Sequence, residues 1–203
     1  DVESRGLGDV YKRQIVPMVQ EIKTRDAKPF ILNKTTKISF PAANSKLARS
    51  AALLSEYIAQ ITGLRLEITD KQDVENAIKL TIDYSSDNPE AYIINVNSSL
   101  ITINGSTEAG TFYGIQTIRK SIPVNADTEI EFPSTEITDY PSYPHRGASL
   151  DVSRHFFSVD FVKKYIDILA MFNMNIFHWH LTDDQGWRIA VSYTHLRAHE
   201  TRR

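Results

Sequence analysis

The sequence predicts an α/β chain: an α+β domain of sheet plus helices, followed by a strand–helix–strand unit whose two strands run parallel. Three observations carry this. Short alternating strand-like runs and two amphipathic helical stretches fill residues 15–122. Pro123, Pro133, Pro141 and Pro144 then break the periodicity. Beyond them, two apolar runs flank a single helical segment. The domains are accordingly drawn at 15–140 and 141–191.

In order, residues 15–22 (IVPMVQEI) and 30–40 (FILNKTTKISF) are rich in β-branched and aromatic side chains. Both read as strands, with Pro17, Pro29 and Pro41 as punctuation. Over residues 45–61, Leu47, Ala51, Leu54, Ile58 and Ile61 recur at three- and four-residue spacing and form one stripe of a helix. Gly63 stands where a left-handed stop is expected. Residues 64–69, 77–84, 91–96 and 100–104 alternate as short strands, and Asn97-Ser98-Ser99 joins the last two as a hairpin. Residues 107–122 form a second helix that ends before Pro123. After the prolines, 146–152 (RGASLDV) is a strand. Residues 158–172 form a helix capped by Ser158 with Asp160 in its first turn, and 175–181 (NIFHWHL) is a strand. A crossover of this length makes the two strands parallel neighbours.

Composition excludes several classes. With 41% hydrophobic and 24% charged residues, the 203-residue chain is globular in type. A net charge of −2 leaves no electrostatic footprint for nucleic acid or an anionic membrane surface. The absence of cysteine removes disulfides, thiolate metal sites and a cysteine nucleophile. No apolar run approaches the roughly 18 residues of a membrane span.

In parallel α/β folds, functional groups gather beyond the carboxyl ends of the strands. The first of these strands ends in Asp151, Ser153, Arg154 and His155. The second ends in His178, Trp179, His180, Thr182, Asp183, Asp184, Gln185 and Trp187. A guanidinium, several carboxylates and two indoles suit a sugar, since directional donors and acceptors meet ring hydroxyls and aromatic faces meet its C–H surface. No glycine-rich loop precedes either helix, which argues against phosphate. Other readings stand beside this one. Arg154 as the structural ion-pair partner of Asp151 or Asp183 is one, and His178 with His180 as a metal pair is another. Histidines held by neighbouring carboxylates, Trp179 in the core, and Asp183-Asp184 as a cap or a solvated loop are the remainder.

Residues 145–189, HRGASLDVSRHFFSVDFVKKYIDILAMFNMNIFHWHLTDDQGWRI, resemble the opening of the catalytic barrel of glycoside hydrolase family 20, the β-N-acetylhexosaminidases. The family's first strand reads RG-x-x-LD-x-SRHF, and its second closes as H-x-H-L-x-DDQ-x-W. TEAGTFYGIQTI, residues 107–118, is similar to the helix of the accessory domain that precedes that barrel. The resemblance implies an accessory α+β domain followed by the first βαβ unit of a truncated (β/α)8 barrel. It also implies hydrolysis of terminal N-acetylhexosamine residues by substrate-assisted retaining catalysis, with a glycan or N-acetylhexosaminide as substrate and no cofactor or metal.

By the same resemblance, Arg154 matches the arginine that binds the terminal sugar, and Asp183 matches a carboxylate that supports the catalytic acid through a histidine. His155, His180, Asp184 and Trp187 match framework positions of the site. The family's catalytic Asp-Glu pair sits on a later barrel strand, and no Asp-Glu dipeptide occurs in these 203 residues, so the chain alone is expected to be inactive. Residues 1–14 and 192–203 have no counterpart in the family and resemble translated adapter sequence rather than native termini. A secreted, periplasmic or lysosome-like location is implied, while oligomeric state, linkage and gluco/galacto preference are not. A non-catalytic glycan-binding module and a metal-dependent barrel hydrolase built on His178 and His180 are the alternatives.

Overall fold

The computed structural model describes residues 15–123 and 129–189, which divide after Ser142 into two compact units. The first is a mixed seven-stranded sheet with two helices. Its strands are β1 (Glu21–Thr24), β3 (Lys37–Ser39), β4 (Glu67–Thr69), β5 (Ala77–Thr81), β6 (Tyr92–Val96), β7 (Leu100–Gly105) and β9 (Thr135–Asp139), in the order β1-β9-β6-β7-β5-β3-β4. A separate antiparallel pair joins β2 (Phe30–Leu32) to β8 (Ile130–Phe132). Strands β7, β5, β3 and β4 run parallel, whereas β1, β9, β6 and β7 are joined antiparallel.

The register explains the core. Ile22, Ile137, Ile94, Ile103 and Leu80 lie in one row across β1, β9, β6, β7 and β5. Ile68, Ile38, Ile78, Ile101 and Val96 form the next row. Strand periodicity puts both rows on one face, and all but the edge residues Ile22 and Ile68 are fully buried. Helix α1 (Ser45–Thr62) packs on β3, β4 and β5, and helix α2 (Glu108–Ser121) on β6 and β7, with the two helices touching. Asn44 caps α1 by accepting from the Lys46 and Leu47 amides, and Gly63 ends it with φ 78°. Gly114 lets α2 lie against the sheet, because a Cβ there would stand 2.5 Å from Ile103 Cγ2.

Three expectations need correction. Of the run at 15–22, only its end joins a strand, since β1 begins at Glu21 beyond Pro17. The run at 30–40 is two strands, because Asn33 Oδ1 accepts from the Thr35 amide at 2.9 Å and turns the chain between them. The proline-rich stretch holds β8 and β9, with Pro133 between them and Pro141 after the second. Prolines here punctuate strands rather than exclude them.

The second unit contains β10 (Gly147–Asp151), helix α3 (Val159–Met171) and β11 (Ile176–His180). Strands β10 and β11 pair in parallel, from Gly147 opposite Ile176 to Asp151 opposite His180. Ser158 caps α3 through the Phe161 amide at 3.2 Å. Tyr165 meets Phe177 with ring centroids 5.5 Å apart, so α3 lies on the Phe177 and Trp179 side of the strands. Trp179, expected in the core, is 44% exposed and stacks only on Phe177 among the described rings. Beyond β11 comes a small hairpin of β12 (Thr182–Asp183) and β13 (Gly186–Trp187). No described helix is long and apolar enough to cross a membrane. The readings of 1–14 and 192–203 as foreign termini concern residues outside those described.

Candidate functional site

Parallel pairing of β10 and β11 brings their carboxyl ends together, with Asp151 and His180 as the last partners in register. The chain leaves β10 in a tight turn that Asp151 organises. Its Oδ1 accepts from the amides of Ser153 at 2.9 Å and Arg154 at 3.1 Å. Its Oδ2 accepts from Arg154 Nη1 at 2.6 Å. The turn therefore returns the Arg154 side chain over the strand end.

The hairpin after β11 supplies the other half. Arg154 Nη2 lies 2.5 Å from Asp183 Oδ2, and Arg154 Nε donates to Gln185 Oε1 at 3.1 Å. Among the described residues, three of the five guanidinium N–H groups are thereby engaged and two are not. The same Asp183 oxygen stands 3.0 Å from His180 Nε2. Asp183 Oδ1 accepts from the Asp184 amide at 2.8 Å.

The turn and the hairpin are also laced through main chain. Arg188 Nε donates to the Val152 carbonyl at 2.9 Å and Nη2 to the Ser153 carbonyl at 3.2 Å. Ser153 Oγ donates to the Gly186 carbonyl at 2.9 Å. The approach is so close that a Cβ on Gly186 would stand 2.6 Å from the Ser153 carbonyl oxygen.

Charge follows geometry. The hydrogen bond from Arg154 holds Asp151 down at about 2. Hydrogen bonding by Asp184, its amide foremost, and after it the Arg154 charge keep Asp183 below the usual carboxylate range. Asp151 first and Asp183 second make Arg154 harder to deprotonate. Arg154 is 54% exposed, so water screens these pairs and their main effect is on orientation rather than stability.

Of the residues singled out from sequence, Arg154, Asp183 and His180 thus meet in one network, with Asp184 joined through its amide. The reading of Arg154 as an ion-pair partner of Asp151 or Asp183 describes real contacts, and both pairs form at once. His155 instead packs edge-on against Phe157 at 4.8 Å, and Trp187 sits exposed on β13. His178 and His180 share a face, with ring centroids 6.0 Å apart. His178 faces Ser149 Oγ, while the Nε2 of His180 is engaged by Asp183. Among the described residues, no three His, Cys, Asp or Glu side chains converge as for a metal. Sequence reasoning missed Arg188, whose partners are carbonyls 35 and 36 residues away and leave no side-chain pattern to read.

Comparison with known proteins agrees in both units. The model of glycosyl hydrolase family 20, domain 2, matches residues 12–140, and that of the glycosyl hydrolase family 20 catalytic domain matches residues 143–201. A beta-hexosaminidase of Porphyromonas gingivalis is 35% identical over 185 residues, covering 87% of this chain and 23% of its own length. The solved family 20 beta-N-acetylhexosaminidase of Streptomyces coelicolor superimposes with a TM-score of 0.78 at 33% identity, over 90% of this chain and 37% of that one. A mutant Streptomyces plicatus beta-hexosaminidase in complex with product GlcNAc gives a TM-score of 0.80 at 33% identity, over 89% and 36% of the two chains. The chain therefore spans about a quarter to a third of the length of these relatives.

Proposed function

The chain belongs to glycosyl hydrolase family 20, and we propose on that footing that it contributes the sugar-anchoring side of the active site of a β-N-acetylhexosaminidase. The described second unit is read as the first strand, helix and second strand of a (β/α)8 barrel, preceded by the accessory domain at 15–140. The substrate is a glycan with a terminal N-acetylhexosamine. The observation that carries this reading is Arg154, set over the carboxyl ends of two parallel strands between two carboxylates, with two N–H groups to offer.

A guanidinium in this position donates to hydroxyls of the terminal ring, and its flanking carboxylates accept from others or hold it in place. Asp183, shared between Arg154 and His180, is the carboxylate expected to support a catalytic acid through a histidine. His155, His180, Asp184 and Trp187 frame the site. In substrate-assisted hydrolysis the 2-acetamido oxygen attacks the anomeric carbon, and the enzyme contributes an acid to the leaving oxygen and a carboxylate that orients the acetamide. These 203 residues contain no Asp-Glu dipeptide to fill those two roles, so the chain by itself is expected to be inactive.

The test has two arms. The full-length enzyme carrying this sequence should release a chromophore from an aryl N-acetyl-β-glucosaminide, and Arg154→Ala should lower kcat/KM about 30-fold or more, which is about 2 kcal/mol, the worth of a charge-assisted hydrogen bond. The 203-residue chain should show no turnover above a host-enzyme control. Unchanged kinetics in the Arg154 variant would remove that residue from the site.

A further inference from the structure

All side-chain polar contacts described for Asp151 go to the turn that carries Arg154: two amides on Oδ1 and the guanidinium on Oδ2. Asp151 itself is fixed, as the last residue of β10, opposite His180. Asp183 is differently placed. It belongs to the hairpin beyond β11, and the oxygen it offers Arg154 is shared with His180. Gln185 offers one neutral acceptor to Nε. Among the described residues, Asp151 is therefore the charged group that ties the guanidinium to the parallel strand pair itself, whereas Asp183 holds it from the short hairpin beyond.

We infer that Asp151 is a positioning residue for sugar binding, which acts through Arg154 by anchoring its guanidinium to the end of β10. A half-exposed arginine would otherwise divide its time among rotamers, and ordering it would fall to the substrate. With Nη1 held by Asp151, Nε by Gln185 and Nη2 by Asp183, the plane of the guanidinium is set before the sugar arrives. The inference deepens the reading of Arg154 as the sugar-binding arginine and rests on it.

Asp151→Asn is the selective probe. Its amide oxygen keeps the acceptor for the two turn amides, while its NH2 group meets Arg154 Nη1 donor to donor. In the full-length enzyme, with an aryl N-acetyl-β-glucosaminide, D151N should raise KM by about tenfold and leave kcat within about threefold, as expected when binding common to ground and transition states is lost. In a cycle with Arg154→Ala, D151N should add no more than about twofold once the arginine is gone.

A KM that rises with R154A but not with D151N overturns this inference alone. So does a D151N effect of equal size with and without Arg154, which is what general damage to the turn would give. A KM unmoved by R154A overturns the role of Arg154 and this inference together, and absence of turnover by the wild-type enzyme overturns the hexosaminidase reading as well. Thermal unfolding accompanies each variant. Should D151N fail to fold, the same cycle is run with Asp151→Glu, whose longer arm displaces the guanidinium without removing the charge. The expected result, a KM effect that requires Arg154, is unchanged.

Discussion

Two arginines bracket β10, and their surroundings assign them different work. Arg146, at the amino end, donates through Nε to the Asn173 carbonyl and through Nη1 to the Tyr143 carbonyl, both at 2.7 Å. Such contacts join chain segments. Arg146→Ala should therefore cost about 1–3 kcal/mol of stability, read by denaturant unfolding, and leave the KM of the full-length enzyme unchanged. Arg154, at the other end, is bound by side chains and, among the described residues, has two N–H groups without a partner. Its partner Asp151 sets an acid limit. Because the folded carboxyl lies at about 2, below its usual 3.8, the pair contributes fully above about pH 4 and is lost as pH falls toward 2. The melting difference between D151N and wild type, followed by circular dichroism, should accordingly be small above about pH 4 and vanish as pH falls toward 2. In the first unit, Tyr92 Oη donates to Asp139 Oδ2 and meets Thr117 Oγ1, each at 2.6 Å, all within the core. Burial is what raises both the Tyr92 phenol and the Asp139 carboxyl above their ordinary values. Tyr92→Phe leaves a buried carboxylate short of a donor and should cost about 1–3 kcal/mol in chemical unfolding.

The elements differ in how openly the sequence announces them. Helix α1 declares itself by the stripe Leu47, Ala51, Leu54, Ile58 and Ile61, of which the first four are fully buried and Ile61 partly, and by Gly63 at its end; the cap at Asn44 came only from the structure. Asn44→Ala should cost about 1 kcal/mol by loss of the cap, measured by thermal melting. The hairpin of β6 and β7 and the β10–α3–β11 unit are equally open, because their periodicity is local. Strand β9 is not. It offers one aliphatic residue, Ile137, and becomes a strand because it fits between β1 and β6, whose residues lie more than forty positions away. Helix α2 has a weaker apolar stripe than α1, and its placement turns on Gly114. Gly114→Ala should force the helix off Ile103 and destabilise the first unit by about 1–3 kcal/mol, visible in the same melting experiment.

As a whole, the described chain is two compact units, and the first owns a hydrophobic core of aliphatic and aromatic side chains drawn from its sheet, the β2–β8 pair and both helices. A chain ending after Ser142 should therefore fold and melt cooperatively, and absence of a thermal transition in that shorter protein would contradict the division. The second unit buries little by comparison, with Val152 and Val162 its only fully buried apolar residues among those described. Local signals sufficed for the α/β class, both amphipathic helices of the first unit, the parallel strand–helix–strand order and the strand ends where polar residues collect. They sufficed because helix and strand periods, caps and turn residues act over a few positions of chain. Family membership was legible too, through spaced motifs such as Ser-Arg-His-Phe and Asp-Asp-Gln. What the amino-acid order did not reveal was the division of 30–40 into two strands, the insertion of β9, the exposure of Trp179, the pairing of Arg154 with Asp151 and Asp183 at once, and the carbonyl contacts of Arg188. Those depend on which distant backbone amides, carbonyls and side chains lie within about 3 Å of one another, a condition that only packing the strands in register can meet.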